Sequence, residues 1–129
     1  MPLGTGVGQP EPVDMAIGLT VEANQFLGAF RAGVAKYLII ITDALPSGDD
    51  DTFDATDVAR LNSLQITCSL SGIKCFVLGG GVNQTFNQGG VVTYPWRAFA
   101  LGTGGNWNAS PSPAAISSEI VNGCAPPAP

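Results

Sequence analysis

The feature that most constrains the fold is the run YLIIIT at positions 37–42, which is apolar or β-branched at every position. A second, mostly apolar run, IKCFVL, occupies positions 73–78. Runs without regular polar alternation are typical of strands that helices cover on both faces, as in parallel sheets. A loop-forming segment follows each run, beginning at Asp43 in the first and at Gly79 in the second. The sequence therefore predicts two central parallel strands.

Helical patterns flank and separate these runs. Apolar residues recur at a spacing of about 3.6 residues before the first run and again between the two runs. Gly72 is a natural stop for the second of these helices, just before the second strand. A short strand is expected at Trp107, and the polar, Gly-rich stretch 82–93 has no clear period. The expected helices cover positions 10–30, 52–71, 95–101 and 113–121.

Alternation of helices and strands predicts an α/β fold, a Rossmann-like open parallel sheet with flanking helices. The length suits one domain, which we assign to residues 1–124. Residues 125–129 are expected to form an exposed, Pro-rich tail. The chain is 45% hydrophobic, which is enough to bury a core and argues against wholesale disorder.

Charge and residue usage exclude several functional classes. The chain has five Lys and Arg against ten Asp and Glu, a net charge of −5, so we expect no nucleic-acid partner. Histidine is absent, which excludes His-based triads and His-ligated metals. No apolar run approaches the ~18 residues of a membrane span, and no signal peptide is visible at the N-terminus.

Cysteines and glycosylation sequons favour an extracellular or cell-surface location. Cys68, Cys75 and Cys124 are disulfide candidates, with one bridge and one leftover thiol as a consistent interpretation. Burial of Cys68 and Cys75 as small hydrophobic residues is the alternative. The sequons predict N-glycosylation at Asn83 and Asn108.

Asp43 is the first candidate functional residue, because sites in open α/β sheets form outside the carboxyl ends of the strands. A carboxylate there can hold a hard cation, although an Asp that caps a loop is the simpler interpretation. The acidic loop that follows lacks the spacing of an EF-hand, which favours a solvated loop with a helix cap over a calcium site. The segment GTGVG at 4–8 matches neither phosphate-binding loop pattern.

Several segments, taken in order, resemble the C-terminal half of von Willebrand factor A-type domains. They match that family's Gly-rich loop and helix start, its hydrophobic strand ending in Thr-Asp, its next strand ending in Gly, its segment before the last strand, and its closing helix. The segments are GTGVGQPEPV at 4–13, YLIIITD at 37–43, IKCFVLG at 73–79, RAFALGTGG at 97–105 and the residues 116–121.

This resemblance implies a divalent-cation site, normally for Mg²⁺, to which Asp43 and Thr5 would contribute. Mg²⁺ or Ca²⁺ is therefore the implied cofactor. The DxSxS motif of the family is absent, and Ala44 replaces the usual Gly after Asp43. Two protein ligands do not supply the ~6 oxygens that a hard cation takes, so the site is incomplete. The expected ligand-binding face combines Asp43 with Ser47, Asp49, Asp50 and Asp51.

The resemblance also implies that strands normally lying beside YLIIIT are missing. An apolar strand at a sheet edge invites pairing, so we expect a protein partner, or a second copy, at the 37–42 edge. Two functions follow. One is an adhesion or protein-binding module, part of a larger extracellular protein or assembly. The other is a metal-independent structural subunit of an extracellular filament or matrix. An enzyme would need an acid–base pair near the strand ends, and we expect none.

Overall fold

The computed structural model describes residues 12–22, 30, 32–47, 52–79, 85–109 and 112–123. Thr5, Asp49, Asp50, Asp51, Asn83, Cys124 and the tail 125–129 lie outside the described residues. The helices within the described part are α1 (Val13–Val21), α2 (Ala55–Leu70), α3 (Pro95–Gly102) and α4 (Pro113–Gly123). The strands are β1 (Lys36–Ile41), β2 (Ile73–Leu78), β3 (Phe86–Gln88), β4 (Val91–Thr93) and β5 (Asn106–Asn108).

Among the described residues, the main sheet is parallel and has three strands in the order β1-β2-β5, which confirms the predicted α/β class. Strand β2 is central, and its burial is nearly continuous from Cys75 to Leu78. A hydrogen bond from Thr42 N to the Leu78 carbonyl extends the β1–β2 pairing past the end of both strands. The described sheet is therefore parallel, as the two apolar runs predicted.

One face of this sheet carries the hydrophobic core. Ile73, Cys75 and Val77 of β2 lie in the same buried cluster as Ile40 of β1, with Leu38 packed against it. Opposite them are apolar side chains of the three helices on this face: Ile17 and Val21 of α1, Leu61, Leu64 and Cys68 of α2, and Trp96, Phe99 and Ala100 of α3. Packing on this face explains why α1 and α3 each contact α2.

Helix α2 begins at a capping box. Asp54 accepts a hydrogen bond from the Thr56 backbone N–H (2.8 Å), and Asp57 accepts one from the Asp54 N–H (2.9 Å). These two bonds satisfy donors that the first helical turn leaves unpaired. The helix ends before Gly72, whose φ of +68° suits a residue without a side chain. The predicted boundaries of this helix and of β2 agree closely with the structure.

Helix α1 is shorter than the predicted helix over 10–30. It ends at Val21, because Glu22 has an extended backbone (φ −79°, ψ 169°) and its side chain turns to Arg60 of α2. Phe30, the last apolar position of the predicted helix, is not helical. Residues 23–29 lie outside the described part of the chain.

Strand β1 is less buried than expected for a strand that helices cover on both faces. Tyr37, Leu38 and Ile39 are only partly buried, and Ile41 is 70% exposed. Full coverage of a strand in a parallel sheet requires a neighbour on each side and helices on both faces. Among the described residues, β1 has a strand neighbour on one side only, and that accounts for its exposure.

Strands β3 and β4 form a hairpin where the sequence showed no clear period. Gly89 and Gly90 make its two-residue turn, with φ values of +62° and +87°. Positive φ at both central residues defines the turn type whose twist matches antiparallel strands. The pair Gly89-Gly90 beside Val91 and Val92 was the available signal for this hairpin.

Candidate functional site

The carboxyl end of β1 continues into a compact loop that holds Asp43 at the surface. The Thr42 hydroxyl accepts a hydrogen bond from Ala44 N and donates one to the Ala44 carbonyl, both 3.2 Å long. Thr42 and Ala44 are buried, whereas Asp43 between them is exposed. Asp43 is therefore exposed at the carboxyl end of β1, the position expected from the sequence.

A tryptophan from α3 fixes the same loop. The indole Nε1 of Trp96 donates a 2.8 Å hydrogen bond to the Ala44 carbonyl, and both residues are almost wholly buried. Ala44 fits a closed space beside this bond, and its φ is not positive. The glycine that the resemblance would place at this position is therefore not required by the backbone.

Ser47 occupies the interior rather than the surface. Its exposed fraction is 2%, and its Oγ has no hydrogen-bond partner among the described residues. A ligand-binding face that includes Ser47 needs an accessible hydroxyl, and in this arrangement the hydroxyl is enclosed. Of the expected face, the structure exposes Asp43, while the acidic residues 49–51 are outside the described part.

The described residues do not fit a complete divalent-cation site. No group of three or more His, Cys, Asp or Glu that could hold a metal occurs among them. Near Asp43, the Thr42 hydroxyl is already engaged with Ala44. A hard cation takes ~6 oxygen ligands, so the described donors leave most of the shell to water or to other groups.

Two of the three cysteines come together in the core. The sulfur atoms of Cys68 on α2 and Cys75 on β2 are 3.6 Å apart, and both residues are wholly buried. Both are present as thiols. The hydrogen bond to Cys68, together with burial, raises the pKa of the Cys75 thiol, and the same bond lowers the pKa of Cys68. Both cysteines therefore lie in the core, as in the alternative interpretation that they are small buried residues.

Asn108, one of the two predicted glycosylation sites, is the last residue of β5 and is partly buried. Its carbonyl accepts a hydrogen bond from Gly79 N (2.8 Å), so the strand backbone is engaged at this point. Asn108 lies on the strand that pairs with β2 on the side opposite β1.

The outer edge of β1 is the most distinctive surface of the described fold. Thr42 N points to β2, as its bond to Leu78 shows. Backbone groups alternate in direction along a strand, as the side chains do. The backbone groups of Leu38 and Ile40 therefore also point to β2, and those of Tyr37, Ile39 and Ile41 point away from it.

The sheet face on the side of Tyr37, Ile39 and Ile41 is only partly covered near β1. The ring of Tyr37 lies 6.1 Å from that of Phe76 on β2, at a tilt of 46°. Phe76 is 8% exposed, whereas Ile41 at the end of β1 is 70% exposed. Coverage thus decreases from the central strand outward.

An apolar groove was not anticipated from the sequence. It lies between α2, α3 and the end of the β3–β4 hairpin and has a volume of about 180 Å³. Val58, Leu61 and Phe99 contribute to its lining, with Asn62 and Thr93 as polar members. No charged side chain is among the described residues that line it, so this lining offers little for a charged ligand.

Comparison with protein-family models, with curated proteins and with solved structures finds no match to this chain. Within the described residues, no helix has both the length and the apolar character needed to cross a membrane. The evidence for a functional site therefore comes from the geometry of the chain itself. The feature that points most clearly to binding is the outer edge of β1.

Proposed function

We propose that this chain is a protein-binding module whose sheet is extended at β1 by a strand from another polypeptide. The role is that of an adhesion or assembly module in an extracellular or cell-surface setting, as the resemblance to the C-terminal half of a von Willebrand factor A-type domain suggests. The observation that carries the proposal is the pairing of β1 on one side only within the described residues.

The backbone of β1 supplies the directional part of such an interaction. Tyr37, Ile39 and Ile41 turn their N–H and C=O groups away from β2, and the strand is about 20 Å long at ~3.3 Å per residue. Main-chain hydrogen bonds give affinity when an extended segment adds to a sheet edge, and the alternating side chains give specificity. A six-residue edge suits this mode of binding.

The sequence of β1 has none of the usual protections against pairing between Tyr37 and Ile41. Exposed edge strands are normally interrupted by charges, proline or bulges. Here Lys36 at the first position is the only charge in the strand, and no proline or glycine occurs in it. An apolar edge strand without these interruptions is suited to pairing with a strand of another polypeptide.

The partly covered face indicates what the partner brings. A strand alone would satisfy the outward backbone groups, but Ile41 would keep much of its exposed surface. A strand followed by a helix would cover both, because in parallel sheets helices lie on both faces. We therefore propose that the partner contributes a strand and a packed element beside it.

Native mass spectrometry of the purified chain, combined with amide hydrogen exchange, tests this proposal. A second copy at β1 gives a mass above the monomer, and Ile41→Lys returns it to the monomer. Ile66→Lys is the matched control, because Ile66 is also an exposed isoleucine (59% against 70%) but lies on α2.

The exchange data separate the remaining outcomes. A monomer whose Tyr37, Ile39 and Ile41 amides exchange rapidly has an open edge that a different chain must cover. A monomer in which these amides are as protected as those of Leu38 and Ile40 contradicts the proposal, because the chain then covers its own edge.

A second candidate function is divalent-dependent adhesion at the carboxyl end of β1, favoured by the exposed carboxylate of Asp43. Here Mg²⁺ or Ca²⁺ would be held by Asp43 together with oxygens that the described residues do not supply. Titration calorimetry with MgCl₂ and CaCl₂ tests this directly. Binding heat that the Asp43→Ala substitution removes supports metal-dependent adhesion. No binding heat with the unsubstituted chain rejects it in favour of metal-independent assembly.

A further inference from the structure

Cys68 and Cys75 are positioned as a pair by two elements that meet at a single turn. Cys68 lies in the last turn of α2, Cys75 is the third residue of β2, and Gly72 reverses the chain between them. Their sulfur atoms, 3.6 Å apart, share a hydrogen bond in which Cys75 donates to Cys68. Neither thiol has any exposed surface.

Bond formation requires only a small local movement. A disulfide brings two sulfur atoms to about 2.05 Å, so the pair must approach by about 1.6 Å. Cys75 is held on its backbone side, because its N–H donates to the Thr103 hydroxyl (2.8 Å). The movement therefore falls mainly on Cys68 and on the helix end that carries it.

We propose that Cys68 and Cys75 form a reversible disulfide that links the end of α2 to the central strand. The oxidant is a low-molecular-weight disulfide such as oxidised glutathione. The Cys68 thiolate attacks one of its sulfurs, and the first glutathione thiol leaves. Cys75 then loses its proton and attacks the Cys68 sulfur, and the second glutathione thiol leaves. Two protein thiols and one small disulfide thus become one protein disulfide and two small thiols.

The order of the two steps follows from the environment of the thiols. Cys75 donates the shared hydrogen bond and lies in the sheet, and this raises its pKa. Cys68 accepts that bond, which lowers its pKa, so Cys68 ionises first. The thiolate is the attacking form in thiol–disulfide exchange.

Access to Cys68 is explained by its place near a helix end. The two residues that follow it, Ser69 and Leu70, are exposed, and Leu70 is exposed to 84%. Helix ends open at lower free energy than the core of a fold. Opening of the last turn of α2 exposes Cys68 while β2 stays paired on both sides.

Tryptic mapping without reduction distinguishes every possible pairing, because the cleavage sites separate all three cysteines. Cleavage after Arg60, Lys74 and Arg97 gives the peptides 61–74, 75–97 and 98–129, with one cysteine in each. The folded full-length chain is equilibrated with oxidised and reduced glutathione. It is then quenched in acid and unfolded in the presence of an alkylating agent before digestion.

The expected result is a linkage of peptides 61–74 and 75–97 that excess reduced glutathione reverses. In a Cys124→Ser background, the oxidised chain melts roughly 5–10 °C above the reduced chain. Further substitution of Cys68→Ala removes both the linkage and this difference. Alkylated Cys68 and Cys75 at the most oxidising ratio, or linkage of either peptide to 98–129 instead, overturns the proposal. A linkage that glutathione cannot reverse overturns its reversibility.

Discussion

The indole Nε1 of Trp96 lies 2.8 Å from the backbone carbonyl of Ala44 and donates a hydrogen bond to it. This bond joins the first turn of α3 to the loop after β1, two parts of the chain that are distant in sequence. It is buried, where a hydrogen bond is difficult to replace by water. The position of Asp43 beside Ala44 therefore depends on α3 as well as on β1.

Trp96→Phe should lower the free energy of unfolding by about 2 kcal/mol, from the lost hydrogen bond and a small cavity. Trp107→Phe, at a partly buried tryptophan in β5, is the control and should cost about 1 kcal/mol or less. Urea unfolding followed by circular dichroism measures both. Equal losses in the two variants would show that the bond to Ala44 adds no stability.

Amide exchange along β1 should alternate. In the monomeric chain, the amides of Leu38 and Ile40 should exchange more slowly than those of Tyr37, Ile39 and Ile41, because only the first two point to β2. NMR-detected hydrogen exchange measures each amide. Covering of the edge by a partner should slow the outer three and leave the inner two nearly unchanged. Slower exchange of Tyr37, Ile39 and Ile41 than of Leu38 and Ile40 in the monomer would contradict the register described for β1 and β2.

Gly105→Ala should destabilise the fold strongly. A Cβ at this position would lie 1.7 Å from the Cys75 carbonyl oxygen, a backbone atom in the central strand that cannot move aside. We expect a loss of about 3 kcal/mol or more.

Gly102→Ala is the matched control for that substitution. Its Cβ would meet the end of the Gln65 side chain, which can rotate away, and alanine favours the helix. Thermal unfolding of both variants measures the contrast. A Gly105→Ala variant as stable as Gly102→Ala would contradict the close packing of residue 105 on β2.

Glu22→Gln should have a small, pH-dependent effect. The hydrogen bond from Arg60 lowers the pKa of Glu22 below its ordinary value of 4.5 in the folded chain. The stabilisation is therefore fully present above pH 4.5 and is lost as the pH falls through the lower, folded value. Because both side chains are partly exposed (37% and 43%), the contribution is under about 1 kcal/mol at neutral pH.

Urea unfolding of the unsubstituted chain and of Glu22→Gln at pH 7 and pH 3 measures this effect. The two should differ at pH 7 and converge toward pH 3. A difference that stays constant over this range would mean that packing of residue 22, rather than its charge, sets the effect.

The elements with strong local signals were predictable. The apolar run at 73–78 defined β2, and Gly72 marked the end of α2. The hairpin was missed because its strands are three residues long and mostly exposed, so their side chains show no alternation between a core and solvent. Helix α1 was predicted too long because apolar spacing does not reveal that Glu22 leaves the helix toward Arg60.

The residues of the candidate site also differ in how far the sequence predicted them. Position alone placed Asp43 after a parallel strand, and the structure exposes it there. The burial of Ser47 could not be predicted from the residues around it in the sequence, because a short polar residue in a loop is usually solvated. The proximity of Cys68 to Cys75 was open to two interpretations until the helix end and the strand were placed side by side.

By itself, the sequence determined the class of the fold: apolar runs separated by helical patterns can bury their surface only as covered parallel strands. It also determined the acidic charge and the absence of histidine, which restrict the chemistry available. Tertiary structure alone decided that β2 and not β1 is the buried central strand, that Trp96 holds the Asp43 loop, and that two thiols share a hydrogen bond. These relationships join residues far apart in the chain or on different elements, and only packing determines which of them meet.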